Sequence, residues 1–179
     1  MRKFYSFLLR TTGWTSSLQA EIPSKCVVCV APHTSNWDFL IGMLFYKSIG
    51  GNIHFLMKKA WFFFPLKYFL SAIGGFPVNR SKNSSLTETM AEEFEKRDQF
   101  QLAIAPEGTR KKNPDWKTGF YYIAWKAQVP ITLAYLDYKQ RVVGLIKNFV
   151  PTGDIAGDIE QIKQLYKNIP GKYPGKFAI

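Results

Sequence analysis

Apolar and polar positions alternate in blocks that predict strands and helices in turn. Residues 26–31 (Cys-Val-Val-Cys-Val-Ala) are continuously apolar, as expected of a strand buried on both faces. Residues 38–49 are apolar nearly all round and predict a buried helix ended by Gly50-Gly51. Residues 52–57 predict a second strand. Residues 60–73 predict an aromatic helix that Pro65 kinks or divides into two short pieces. A short strand follows at 76–78. Ser85-Leu86-Thr87-Glu88 reads as a capping box, and the helix behind it sets Leu86, Met90 and Phe94 on one face. Residues 101–105 predict a strand and 119–128 a helix. Residues 131–138 and 142–150 predict strands that look antiparallel. In 154–169, Ile155, Ile159, Ile162, Leu165 and Tyr166 recur at helical spacing. The alternation predicts an α/β fold: a single layered domain with a mixed, mostly parallel β-sheet flanked by helices. The turn-rich tail, 170–176, is placed on the surface.

Composition narrows the function. The chain has 179 residues, of which 46% are hydrophobic and 16% aromatic, which excludes disorder and leaves enough apolar material for a core without disulfides. The net charge of +11 predicts attraction to something anionic: nucleic acid, an acidic membrane surface or a phosphate-rich substrate. Cys26 and Cys29 sit three apart in a predicted strand, so they point to opposite faces and read as core packing rather than a metal or redox pair. No apolar run reaches the ~18 residues of a membrane span. The first ten residues begin like a signal peptide, but Arg10 breaks the apolar stretch and no cleavage site follows, so they read as a retained amphipathic helix. Residues 1–20 are assigned to this membrane-associating helix and 21–179 to the α/β domain.

Three clusters carry candidate chemistry. His33 follows the first predicted strand, and Asp38, five residues on, stands where a helix begins; a carboxylate there can turn back to the imidazole and stabilise its protonated form, or merely cap the helix. His54, in mid-strand, reads as structural. Gly74-Gly75-Phe76-Pro77-Val78-Asn79-Arg80 sets a guanidinium at the end of a sheet element. In 105–112, Gly108 allows close backbone approach, Thr109 offers a hydroxyl, Arg110 supplies a cationic fork, and Glu107 is expected to orient that fork. Between the first two clusters, residues 55–70 interleave aromatics with Lys58, Lys59 and Lys67. They suit a membrane-interface element, an acyl-channel wall or a core helix, and Lys58 is the best phosphate candidate among the three lysines.

Taken in order, His33 to Asp38 (H-x4-D), Gly74 to Arg80 (G-x5-R), Glu107-Gly108-Thr109-Arg110 (E-G-T-R) and Val129-Pro130-Ile131 (V-P-I) resemble the four blocks of the glycerolipid acyltransferase family, typified by 1-acylglycerol-3-phosphate acyltransferases. The resemblance covers about residues 25–140. It implies transfer of an acyl group from a thioester, acyl-CoA or acyl carrier protein, to a hydroxyl of a lysophospholipid-type acceptor, most simply 1-acylglycerol-3-phosphate. His33 would be the general base and Asp38 its orienting partner. Arg80, Glu107, Gly108, Thr109 and Arg110 would bind the acceptor phosphate, with Lys58 resembling a further phosphate ligand. Backbone N–H groups near the third or fourth block could stabilise the oxyanion. No metal or prosthetic group is implied. Asn79 and Pro77 depart from the common second block, which bears on the acceptor: glycerol-3-phosphate or a lyso-aminolipid is the alternative. A non-enzymatic basic module for membrane or nucleic acid is the other alternative, though no nucleic-acid recognition motif is present. The expected location is peripheral, on the cytoplasmic face of a membrane rich in anionic lipid.

Overall fold

The computed structural model describes residues 1–78 and 83–179. Its centre is a seven-stranded sheet: β1 (Thr15–Leu18), β2 (Lys25–Val30), β3 (Ile53–Lys58), β4 (Gly75–Val78), β5 (Phe100–Ile104), β6 (Ile131–Asp137) and β7 (Val142–Phe149), in the spatial order β1-β7-β6-β2-β5-β3-β4. Five neighbours, β6, β2, β5, β3 and β4, run parallel, while β7 is antiparallel to β6 and carries β1 parallel to itself. The sheet is therefore mixed and mostly parallel, as the alternation predicts. The helices are α1 (Arg2–Thr11), α2 (Trp37–Ser48), α3 (Leu66–Ala72), α4 (Asn83–Lys96), α5 (Gly119–Ala127) and α6 (Ile155–Tyr166).

Side chains of β2 divide between two cores, as its unbroken apolar run requires. Val27, Cys29 and Ala31 join Met90 and Phe94 of α4, Phe120 of α5 and Ile162 and Tyr166 of α6. Cys26 and Val28 join Leu9 of α1 and Ile41 and Phe45 of α2. The two cysteines are free, buried and on opposite faces. The Tyr166 hydroxyl donates to the carbonyls of Cys29 (2.9 Å) and Ala134 (3.2 Å), joining α6 to β2 and β6 near the ends that carry the site.

Several expectations need correction. The N-terminal helix ends at Thr11, and residues 15–18 form β1, a short polar edge strand without the apolar alternation that would reveal it. α1 packs onto the domain, since Leu9 and the following Trp14 are core residues. α4 starts at Asn83, two residues before the expected cap. The 60–73 segment is two pieces, a 3-10 turn at Lys59–Trp61 and α3, and most of its aromatics are not core: Trp61, Phe63, Phe64, Tyr68 and Phe69 are exposed, Phe64 to 75%. The tail is not simply superficial. Gly171 is buried, and a Cβ on it would meet Thr34 Oγ1 and Pro32.

Pro77 lies exposed in β4, the sheet edge, where a residue lacking an N–H is tolerated. Gly74, with φ +97°, lets the chain press against the Ile53 carbonyl as it enters that strand, where any Cβ would collide.

Candidate active site

Parallel strands bring their C-terminal ends to one edge, which is where open α/β sheets place their sites. The loops after β2 and β5 carry His33 and Glu107 to Arg110, and β3 ends on Lys58, so two of the four predicted blocks and the lysine come to this edge. Cys29 is level with Ile104, and Lys58 with Val78, so these ends are nearly in line. Two strand spacings separate β2 from β3, about 10 Å across the sheet. Arg80 itself lies outside the described residues.

The loop between β2 and α2 is folded around one carboxylate. Asp38 Oδ2 accepts the backbone N–H groups of Thr34 and Ser35, both at 2.8 Å, and lies 3.2 Å from His33 Nδ1. Asp38 Oδ1 accepts the hydroxyl of Tyr138, one residue past β6, at 2.6 Å. Asp38 thus does not cap α2. It is the hub of its own loop, buried, with both oxygens engaged. Burial alone would push this carboxyl up. The hydrogen bonds from His33, Tyr138 and the Ser35 N–H outweigh burial and hold it below the ordinary Asp value, so it is a carboxylate at neutral pH. That contact directs the Nδ1–H toward Asp38 and leaves Nε2 as the basic nitrogen. The His33 side chain is 26% exposed, in contrast to the buried Asp38.

Glu107 departs from expectation. It is fully buried, and its Oε1 accepts the backbone N–H of His33 at 2.6 Å, so it braces the His33 loop and does not orient Arg110. Its Oε2 has no partner among the described residues. Burial pushes this carboxyl up to about 7, against the pull of the His33 N–H. The rest of the third block faces outward. Gly108 adopts the left-handed conformation, φ +64°, against the Lys117 side chain. Thr109 Oγ1 accepts the Lys111 N–H, and Arg110 is exposed. Lys58 is exposed at the end of β3. Asn113 closes the loop by donating to the Glu107 carbonyl.

The fourth block lies elsewhere. Ile131 is level with Val27, near the start of β2, so Val129, Pro130 and Ile131 lie at the opposite edge of the sheet. Val129 and Ile131 are core residues, and no oxyanion contact at His33 can come from them. His54 lies in β3 with its ring tilted against Phe100 at 4.8 Å, a packing position.

Sequence reasoning misses Tyr138, Trp14 and the tail. Trp14 packs edge-on against Tyr138 at 4.8 Å, the Tyr138 N–H donates to the Pro170 carbonyl, and the Tyr173 N–H donates to Thr34 Oγ1. The one available signal is position: Tyr138 closes the apolar segment predicted as a strand at 131–138. Among the described residues, no group of three or more His, Cys, Asp or Glu side chains is placed to hold a metal ion, and no helix is long and apolar enough to cross a membrane.

Comparison with known proteins bears on the family and the fold. The chain matches the family model described as Acyltransferase over residues 15–135, more than half its length. It is 30% identical over 103 residues to human 1-acyl-sn-glycerol-3-phosphate acyltransferase beta, a stretch covering 55% of this chain and 37% of that protein. The chain therefore aligns with well under half of this curated relative. Its fold resembles the crystal structure of the 1-acyl-sn-glycerophosphate (LPA) acyltransferase PlsC from Thermotoga maritima, with a TM-score of 0.62 and 14% identity, over 93% of this chain and 78% of that one. At that identity the likeness is one of fold. With a family match that spans β1 to β6 and takes in the His33–Asp38 and Glu107–Arg110 loops, the chain belongs to the acyltransferase family.

Proposed function

We propose that this acyltransferase moves a fatty acyl group from an acyl thioester to a hydroxyl of a lysophospholipid-type acceptor, 1-acylglycerol-3-phosphate foremost. The observation that carries the reading is the His33–Asp38 pair, its imidazole open to solvent on the same sheet edge as Lys58 and Arg110. His33 Nε2 removes the proton of the acceptor hydroxyl as its oxygen attacks the thioester carbonyl. The tetrahedral oxyanion then collapses and the C–S bond breaks. The departing thiolate takes the proton from the imidazolium, which Asp38 stabilises meanwhile. Arg110 and Lys58 are exposed and Thr109 is half-buried; with Arg80 they supply donors for the acceptor phosphate. Glu107 acts from behind by fixing the His33 backbone. The donor is acyl-CoA or acyl carrier protein.

The reaction takes place at a membrane surface. Trp61, Phe63, Phe64, Tyr68 and Phe69 are exposed beside Lys58, Lys59 and Lys67. Trp37, Phe39 and Leu40 are also exposed, and Phe39 meets Phe55 of β3, the strand that ends on Lys58, with ring centroids 4.7 Å apart. An apolar surface of this extent rimmed by lysines suits the headgroup region of an anionic bilayer. Since Trp37 and Lys58 are also next to the site, the membrane that presents the acceptor is the one the protein rests on. The cytoplasmic face, which carries the anionic lipid, fits this charge.

The test is purified protein with a long-chain acyl thioester, a panel of lysophospholipids in vesicles, and mass spectrometry of the lipid product. Free thiol and diacylated product should form together, and only with acceptor present. Thiol release without acceptor, or no product with any acceptor, would contradict the reading.

A further inference from the structure

We propose that Tyr138 is a positioning residue for the His33–Asp38 pair, holding the carboxylate in register with the imidazole from the side opposite the ring. The proposal rests on the acyl-transfer reading above.

The two oxygens of Asp38 are held by different parts of the chain. Oδ2 takes the loop amides and faces His33 Nδ1, while Oδ1 takes the Tyr138 hydroxyl at 2.6 Å. With only the Oδ2 contacts, the carboxylate could turn about its Cβ–Cγ bond and trade one oxygen for the other. The Tyr138 hydroxyl removes that freedom, and it is itself fixed. Its ring meets Trp14 edge-on at 4.8 Å and an interplanar angle of 87°, and its backbone N–H is bound to the Pro170 carbonyl at 3.2 Å. Burial and the adjoining Asp38 charge push its phenol well up, so it remains a donor throughout any working pH range. The ionisable groups around the pair are Glu107 from the loop after β5, Tyr173 from the tail, and Cys29 in β2 behind Glu107. None of them bonds Oδ1.

Tyr138→Phe keeps the ring packing and deletes the donor. It should lower kcat by about tenfold with KM changed by less than about twofold, because the base is misplaced while substrate binding is untouched. It should also move the acid limb of the pH–rate profile to higher pH by on the order of half a unit, since Asp38 then carries a less neutralised charge toward the imidazole. In an Asp38→Asn background the same substitution should have little further effect. Because Glu107 titrates in the assay range, the profiles are compared again in a Glu107→Gln background, where the displacement should persist. An unmoved acid limb, or an equal loss of rate with Asp38 already replaced, would overturn the proposal. NMR titration of the His33 ring reads the same displacement without turnover. A wild-type protein inactive on every acceptor would therefore count against the functional reading alone, and an unmoved ring titration against the role of Tyr138.

Discussion

A single carboxyl group, Glu107, joins two loops that lie 74 residues apart, and it does so while wholly buried and with one oxygen unpartnered among the described residues. Burial raises its folded-state value from 4.5 to about 7, so between those values the folded protein holds a proton that the unfolded chain has released. Stability contributed by this group is therefore complete below pH 4.5 and declines as pH rises to about 7, by up to about 3 kcal/mol. Asp38 has the opposite sign. Its value is lowered from 3.8, so its contribution is present above that and fades as pH falls below it. The two windows do not overlap. Denaturant titrations between pH 4.5 and 7 should show wild-type stability falling with pH and Glu107→Gln flattening the slope; parallel slopes would remove Glu107 as the cause. The His33–Asp38 pair is legible in sequence because its partners are five residues apart and the loop between them is local. The Glu107 and Tyr138 contacts are not, because they depend on which strands become neighbours, and no spacing along the chain encodes that.

At the scale of elements, strong apolar patterns could be read and weak ones could not. β2, β6 and α4 are recovered because each buries a defined set of side chains. β1, with the pattern Thr-Ser-Ser-Leu, has almost nothing to bury and owes its conformation to backbone pairing with β7. For residues 59–72 the pattern shows apolar content but not what covers it, and so fits a core helix as well as a membrane-interface element. The exposure of Trp61 and Phe64 decides against the core. Each such ring entering a headgroup region is worth about 1–2 kcal/mol. A Trp61→Ser/Phe64→Ser double variant should therefore lose roughly a hundredfold in partitioning to phosphatidylserine-containing vesicles, measured by sedimentation, with its thermal midpoint nearly unchanged because neither side chain supports the fold. Undiminished binding would place the docking surface elsewhere.

Across the whole molecule, the parallel sheet sets which residues meet. The strand ends at one edge gather His33, Asp38, Glu107, Arg110 and Lys58, while the opposite edge holds the Val129–Pro130–Ile131 turn as packing. Of the blocks whose functional residues are described, two thus lie at one edge and one in the core, a distinction that needs strand direction. The same burial silences the thiols. It pushes Cys26 up to about 11 and Cys29 further still, so a thiol reagent at pH 8 should label neither residue in the folded protein and both after denaturation; rapid labelling of the native form would contradict the buried sheet. The proposed reaction depends on His33 acting as the base. The most direct measurement is the acceptor-dependent acyl-transfer rate of His33→Ala beside wild type, at equal vesicle binding and equal thermal stability. The rate should fall by about 10²–10⁴; a variant that turns over as fast as wild type would mean that the proton leaves by another route.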